Sequence, residues 1–210
     1  MNEALSKLIY PVFQHVIDLQ DRALEGNHPA LPPEREKILV LIRDAEERAQ
    51  ASGSAAGDFP LVKRLLAYWV DEALVNSAWR YAKDWEANTL EWEYYQEKIR
   101  AERFFEAANE ALDRDGSDPL EVAILAVSLG FRGDYRFDVP ALRRESQRYL
   151  KRYLKTVSAL APPAKGPPGR PLEPLPGPYI LLGVCALVSV TAVVTLLSFI
   201  LTHSPSQYHL

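Results

Sequence analysis

The chain has 210 residues, 48% of them apolar and 25% charged, enough for one or two small domains with a buried core and too apolar for a disordered protein. A formal net charge of -4 leaves no basic excess for tracking a phosphate backbone, so no nucleic-acid partner is expected. The single cysteine, Cys185, excludes an intramolecular disulfide and a multi-cysteine metal site.

From the N-terminus, Leu5, Leu8, Val12, Phe13, Val16 and Ile17 recur at helical spacing, with Pro11 marking either a kink or the true start. A second helix follows Pro32 and Pro33 and carries Ile38, Leu39, Leu41 and Ile42; GSAAGD after it reads as a loop. A third helix is predicted after Asp58 as cap and Pro60 in the first turn. Its apolar stripe is Leu61, Val62, Leu65, Leu66, Trp69, Val70, Ala73 and Leu74.

The stretch Ala82 to Leu112 places Trp85, Trp92, Tyr95 and Ile99 on one stripe and Phe104, Ala108 and Leu112 on another. The phase slips where Arg100, Glu102 and Arg103 interrupt, so a break near Arg100 between two helices is expected. DRDGSDP is a turn, Asp118, Pro119 and Glu121 resemble a capping arrangement, and LEVAILAVSLG is apolar all round, as a central helix would be. Gly130 suits its C-terminal cap. A last helix starts near Asp138 and Pro140, with Leu142, Tyr149, Tyr153, Leu154, Val157 and Leu160 inward and its arginines and lysines outward. With no strand-like alternation and no internal repeat, the class is all-α, about seven helices over residues 1–160.

Residues 161–178, APPAKGPPGRPLEPLPGP, are too rich in proline and glycine for helix or sheet and read as an extended spacer of up to roughly 50 Å that would hold the domain off a membrane. A ligand for a proline-reading module is the alternative. Residues 179–201, YILLGVCALVSVTAVVTLLSFIL, carry no charge and would form a helix about 34 Å long, enough to cross a lipid bilayer. Lys165 and Arg170 precede this run, with Arg148, Lys151, Arg152 and Lys155 further back. No Lys or Arg follows it, which keeps the N-terminal part cytoplasmic. The first residues, MNEALSKLIYPVFQHV, lack the apolar core of a secretory signal, so the run is expected to act as a tail anchor with 202–210 as a short periplasmic tail.

His15, His28, His203 and His209 form no HExxH or cysteine cluster, GFRG lacks the lysine of a phosphate loop, and no GxSxG elbow is present; no cofactor is expected. One acidic pair stands out. On an ideal third helix Tyr68, Glu72, Asn76 and Trp79 form a ridge beside the core stripe, while Asp71 points nearly opposite the core. That ridge could meet a partner; equally, Glu72 and Asn76 could pin a neighbouring helix or loop, with Asp71 a solvated surface charge. The loop Gly130, Phe131, Arg132, Gly133, Asp134, Tyr135 and Arg136 combines a helix stop with aromatics and charges.

LLAYWVDEALVNSAW, KDWEANTLEW, AERFFEAANEAL and DPLEVAILAVSLGFRGDYR followed by ALRRESQRYL resemble, in that order, the DotU family, also called IcmH in type IV and TssL in type VI secretion systems. The resemblance covers about residues 61–154. It implies a cytoplasmic domain of two packed helical bundles held in the bacterial inner membrane, acting as a non-catalytic subunit of the secretion complex. It implies as partners the large IcmF-like (TssM) membrane subunit and, in type VI systems, baseplate proteins such as TssK and TssE, and it matches Asp71 and Glu72 to an acidic pair lining a partner-binding cleft. A homodimer is left open. The chain departs from the family in carrying Arg100 and Ala101 where a double glycine is common, and in exchanging the loop signs at Arg132 and Asp134; a salt bridge between those two is expected. Members with a further peptidoglycan-binding domain after the anchor differ from this sequence, which has nine residues there. By the same resemblance Phe131 and Tyr135 pack inward and the loop joins the bundles. The other readings are a membrane-tethered enzyme built from Tyr68, Glu72, Asn76 and the tryptophans, and a tail-anchored adaptor unrelated to secretion.

Overall fold

The structure, a computed structural model, describes residues 3–53, 56–114 and 118–160. The expected spacer, membrane span and tail lie outside the described residues. Among the described residues there are eight α-helices and one short 3-10 helix, and no strand. They are α1 (Glu3–Leu24), α2 (Leu31–Ser52), α3 (Phe59–Val75), α4 (Ala82–Ala87), α5 (Leu90–Tyr95), α6 (Arg100–Asp113), α7 (Asp118–Ser128) and α8 (Val139–Leu160), with the 3-10 turn at Gly133–Phe137. No helix among the described residues is long and apolar enough to cross a membrane.

Helix α3 is the axis. It packs against α1 and α2 on one side and against α4, α5, α6 and α7 on others, and every residue from Leu65 to Glu72 is buried. The two expected bundles are thus two groups, α1–α2 and α6–α7–α8, that share α3. The α1 helix continues through Pro11, which lies on the exposed face, and buries Leu5, Ile9, Val12, Phe13, Val16 and Leu19. Phe13 meets Trp69 with ring centroids 4.4 Å apart. Near the α1–α2 turn, Glu34 pairs with Arg22 at 3.2 Å and lies 2.8 Å from the His15 ring nitrogen, so the first turn of α2 is tied to α1.

Several expectations change. Asp58 does not cap α3 with its side chain; its backbone carbonyl accepts from Leu61 and Val62, and its carboxylate takes Arg114 at 2.9 Å instead. The segment before Arg100 is two short helices, because the chain turns out at Asn88 and restarts on Thr89, whose hydroxyl accepts from the Trp92 N–H. Trp92 and Ile99 are consequently exposed, while Trp85 is fully buried. The break at Arg100 is where the phase slip put it. Of the α8 residues expected inward, Tyr149 is buried and Leu142 and Tyr153 are partly so, but Leu154 and Val157 are exposed; the side chain of Leu160 lies outside the described set.

The α7 helix ends in a Schellman arrangement: Phe131 N–H donates to the Ala126 carbonyl at 3.0 Å and Gly130 N–H to Val127 at 3.1 Å, with Gly130 at φ +103°. This drops Phe131 onto Phe104, stacked at 3.8 Å, beside Phe105, which in turn takes the edge of Tyr135 at 4.7 Å. The aromatic cluster joins α6, α7 and the 3-10 turn. Residues Met1–Pro162 form a compact unit with its own core. A fragment ending at Pro162 is therefore expected to show the full helical circular-dichroism signal and one cooperative melt; a fragment that collapses without residues 163–210 would assign part of the core to them.

Candidate partner-binding site

Because α3 is covered on every side, its two adjacent acids cannot find water and must find donors. Asp71, fully buried, turns towards α4 and α5. Its Oδ1 accepts from the Trp85 indole N–H at 2.9 Å and the Leu90 N–H at 2.8 Å, and its Oδ2 from the Glu91 N–H at 2.7 Å. Those amides, with Trp92 N–H on Thr89 and Glu93 N–H on the Thr89 carbonyl, complete the open donors at the start of α5. The capping acid of α5 comes from another helix. The expectation that Asp71 points away from the core as a solvated charge is overturned, since an exposed face was assumed for a helix that has none at this level.

Burial pushes the Asp71 carboxyl up to about 6; the Leu90, Glu91 and Trp85 donors and the charge of Arg100 pull the other way. At neutral pH it is the anion that holds the three donors. Glu91, also fully buried, accepts from Arg100 at 2.8 Å, which links the start of α5 to the first turn of α6. Arg35 of α2 lies 5.1 Å over the Trp85 ring and donates to the Asn88 carbonyl, closing the same corner from outside.

Glu72 turns the other way. Its Oε1 accepts from the Arg132 N–H at 2.8 Å and the Gly133 N–H at 3.0 Å, so one carboxylate oxygen holds the loop after α7. Asn76, one turn on, accepts from Arg136 at 3.0 Å and donates to the Glu72 carbonyl at 2.8 Å. Gly133 sits at φ +50°, and a Cβ there would stand 2.6 Å from the Ala101 carbonyl oxygen and 2.9 Å from the Phe131 ring. Only glycine allows this approach of the loop to α6.

Glu72 thereby lies at the floor of an open cleft of about 430 Å³, walled by Lys98, Ile99, Arg100 and Ala101 on one side and Gly133, Asp134, Arg136 and Phe137 on the other. Phe137 is 95% exposed at its mouth. A smaller cleft of about 220 Å³ on the far side of Glu72 is lined by Trp69, Asn76, Gly130 and Phe131.

Of the residues singled out in sequence, the cleft brings together Glu72, Gly133, Asp134 and Arg136, with Asn76 bound to both Glu72 and Arg136. Tyr68 faces a different recess with Arg64, Glu97 and Arg103, its hydroxyl 3.5 Å from Glu97. Trp79 is buried and donates from its indole to the Pro29 carbonyl at 2.9 Å, pinning the α1–α2 turn. The constellation imagined for an enzyme is therefore dispersed. Arg132 and Asp134 are both exposed and form no ion pair with one another; Arg136 takes the role of loop tie instead. Glu91, Lys98 and Phe137 were not singled out in sequence; an acid inside an aromatic EWEYY run was the available signal for Glu91. Among the described residues no three His, Cys, Asp or Glu side chains converge as metal ligands.

The profile of the family described as "Type VI secretion system protein DotU" matches residues 4–204. The chain belongs to the DotU family. Two solved structures are similar in fold. The cytoplasmic domain of TssL from Acinetobacter baumannii matches with TM-score 0.64 and 23% identity, over 72% of this chain and 98% of that one. SciP/TssL from enteroaggregative Escherichia coli 042 matches with TM-score 0.56 and 20% identity, over 81% of this chain and 97% of that one. No curated protein matches. Membership in the DotU family points to a structural subunit of a type VI secretion system.

Asp71→Ala is expected to lower stability by about 3 kcal/mol or more, read as the denaturation midpoint, because it strands three buried donors. The folded carboxyl holds its proton to about pH 6 while the unfolded one releases it near the ordinary value of 3.8. Stability contributed by this proton is therefore full below about pH 4 and lost as pH rises through about 6, and the midpoint difference between parent and Asp71→Asn should shrink over that window. Gly133→Ala is expected to destabilise by about 1 to 3 kcal/mol and to shift the Phe104, Phe105 and Phe131 ring resonances, since the loop must lift from α6.

Proposed function

We propose that the chain is a non-catalytic, membrane-anchored subunit of a type VI secretion apparatus whose cytoplasmic domain recruits other components through the cleft floored by Glu72. The observation that carries this reading is the cleft itself: a rigid floor in which a buried acid is satisfied by loop amides, and a rim on which Phe137 and Ile99 are exposed beside Lys98 and Arg136. Large exposed apolar groups rimmed by charge are the anatomy of a binding surface.

In this reading Glu72 and Asn76 hold the loop in its binding shape. Asp71, Tyr68 and Trp79 act through the fold and touch no partner, because all three are buried. Gly130, Phe131, Gly133 and Tyr135 set where Arg132, Asp134, Arg136 and Phe137 emerge. The partners proposed are the large IcmF-like (TssM) membrane subunit and baseplate proteins of the TssK and TssE type. The basic and apolar rim suits acidic segments carrying apolar side chains. The apolar, uncharged residues 179–201 support single-span anchoring in the bacterial inner membrane with the domain in the cytoplasm.

Detergent-solubilised membranes bearing the tagged full chain are expected to yield an IcmF-like protein on co-purification. Lys98→Glu combined with Phe137→Ala should lower capture of at least one named partner about tenfold or more, with the melting temperature within about 2 °C of the parent, as both side chains are exposed. Undiminished capture by that variant would refute the cleft as the recruiting surface.

A further inference from the structure

The α8 helix has two faces with different fates. One packs Leu142, Tyr149 and Tyr153 on the α7 and α6 side. The other, about a quarter turn away, exposes Val139, Leu150, Leu154 and Val157, the last three at i, i+4 and i+7. Between this stripe and α7 runs an apolar groove of about 350 Å³ lined by Ile124, Val127, Leu142 and Leu150. Beside the stripe on the solvent side stand Arg144, Lys151 and Lys155, and Arg143 lies within it.

These four basic groups make no ion pair among the described residues, whereas Arg148 is paired with Glu145 and Arg152 donates to the Leu112 carbonyl. Glu145 is the only acid on the helix. An exposed apolar stripe flanked by unpaired cations is the pattern of a helix lying in a membrane interface.

We infer that α8 docks side-on to an anionic lipid bilayer, with Leu150, Leu154 and Val157 inserted among the acyl chains and Arg144, Lys151 and Lys155 on the phosphates. A second copy of this chain is a poorer occupant, because an isologous pairing of α8 faces sets lysine against lysine with no free acid to answer. An acidic helix of another protein would match the charge. Lipid is favoured by continuity: only residues 161–178 separate α8 from the uncharged run 179–201, so an anchored chain keeps this face within roughly 50 Å of the bilayer. That reach is an upper limit, and docking of α8 would bring the domain onto the surface itself.

The inference shares with the functional reading only that the chain works at a membrane, and the two fail separately. Extraction of the full chain by carbonate would refute the anchor. The docking of α8 is tested with the fragment 1–162, which lacks the apolar run. In co-sedimentation the fragment is expected to bind phosphatidylglycerol-containing vesicles at least about tenfold more tightly than phosphatidylcholine vesicles, and less tightly as salt is raised. Leu150→Ser with Leu154→Ser, and separately Lys151→Glu with Lys155→Glu, should each abolish binding with helicity unchanged. Absence of binding to anionic vesicles, or binding that both variants retain, overturns the inference. So does a concentration-dependent dimer in vesicle-free solution that Leu150→Ser with Leu154→Ser dissolves. Should the fragment not fold, the full chain in nanodiscs decides between the same outcomes: amide exchange across residues 150–157 must be slower in anionic than in zwitterionic discs, and equal rates refute the docking.

Discussion

Two neighbouring carboxylates on a fully covered helix face in different directions, and the rest of the domain is arranged around the donors they need. Asp71 gathers an indole and the opening amides of α5; Glu72 gathers the amides of the loop after α7. Neither group could be buried without such donors, since an unpaired buried charge costs several kcal/mol. The short helices and the loop, for their part, have amides that helix geometry leaves open. Each need answers the other. The α4–α5 excursion and the inter-bundle loop, which also bury Trp85, Leu90 and Phe131, are tied by hydrogen bonds to one helix through adjacent residues.

The cleft is a by-product of that divergence. Where Glu72 pulls the loop in and the Asp71–Glu91–Arg100 chain fixes the start of α6, the surface between the two attachments stays open. Its walls are set by backbone contacts, chiefly the approach of Gly133 to Ala101, and its rim by side chains free to vary. The fold is shared with solved structures only 20 to 23% identical to this chain.

Much of the architecture was legible in the order of residues. The helix stripes, the break at Arg100 and the Gly130 stop depend on periodicity and local backbone conformation, which a sequence displays directly. Asp71 was misread for a physical reason: a helical wheel assigns one face to solvent, and α3 has no such face because six other helices pack on it. Leu154 and Val157 are expected inward because apolar character is equated with burial, and Trp92 and Ile99 share a sequence stripe with the buried Trp85, yet all four are exposed. The Arg132–Asp134 bridge is expected from the exchange of signs relative to the family loop, but the 3-10 turn sends Arg136, two residues beyond Asp134, back to Asn76. Glu91 could not be foreseen, since nothing local tells an acid on a short helix that its amide will be capped from elsewhere and its carboxylate closed in.

The pairing of Glu91 with Arg100 bears on how such a chain can change over generations. Glu91 is enclosed and Arg100 is the cation that answers it, so replacing Arg100 alone strands a buried carboxylate, whereas replacing Glu91 alone leaves a guanidinium that still reaches solvent. The two positions are therefore bound by epistasis with a direction: a lineage that keeps this fold can give up Glu91 before Arg100, but not Arg100 before Glu91.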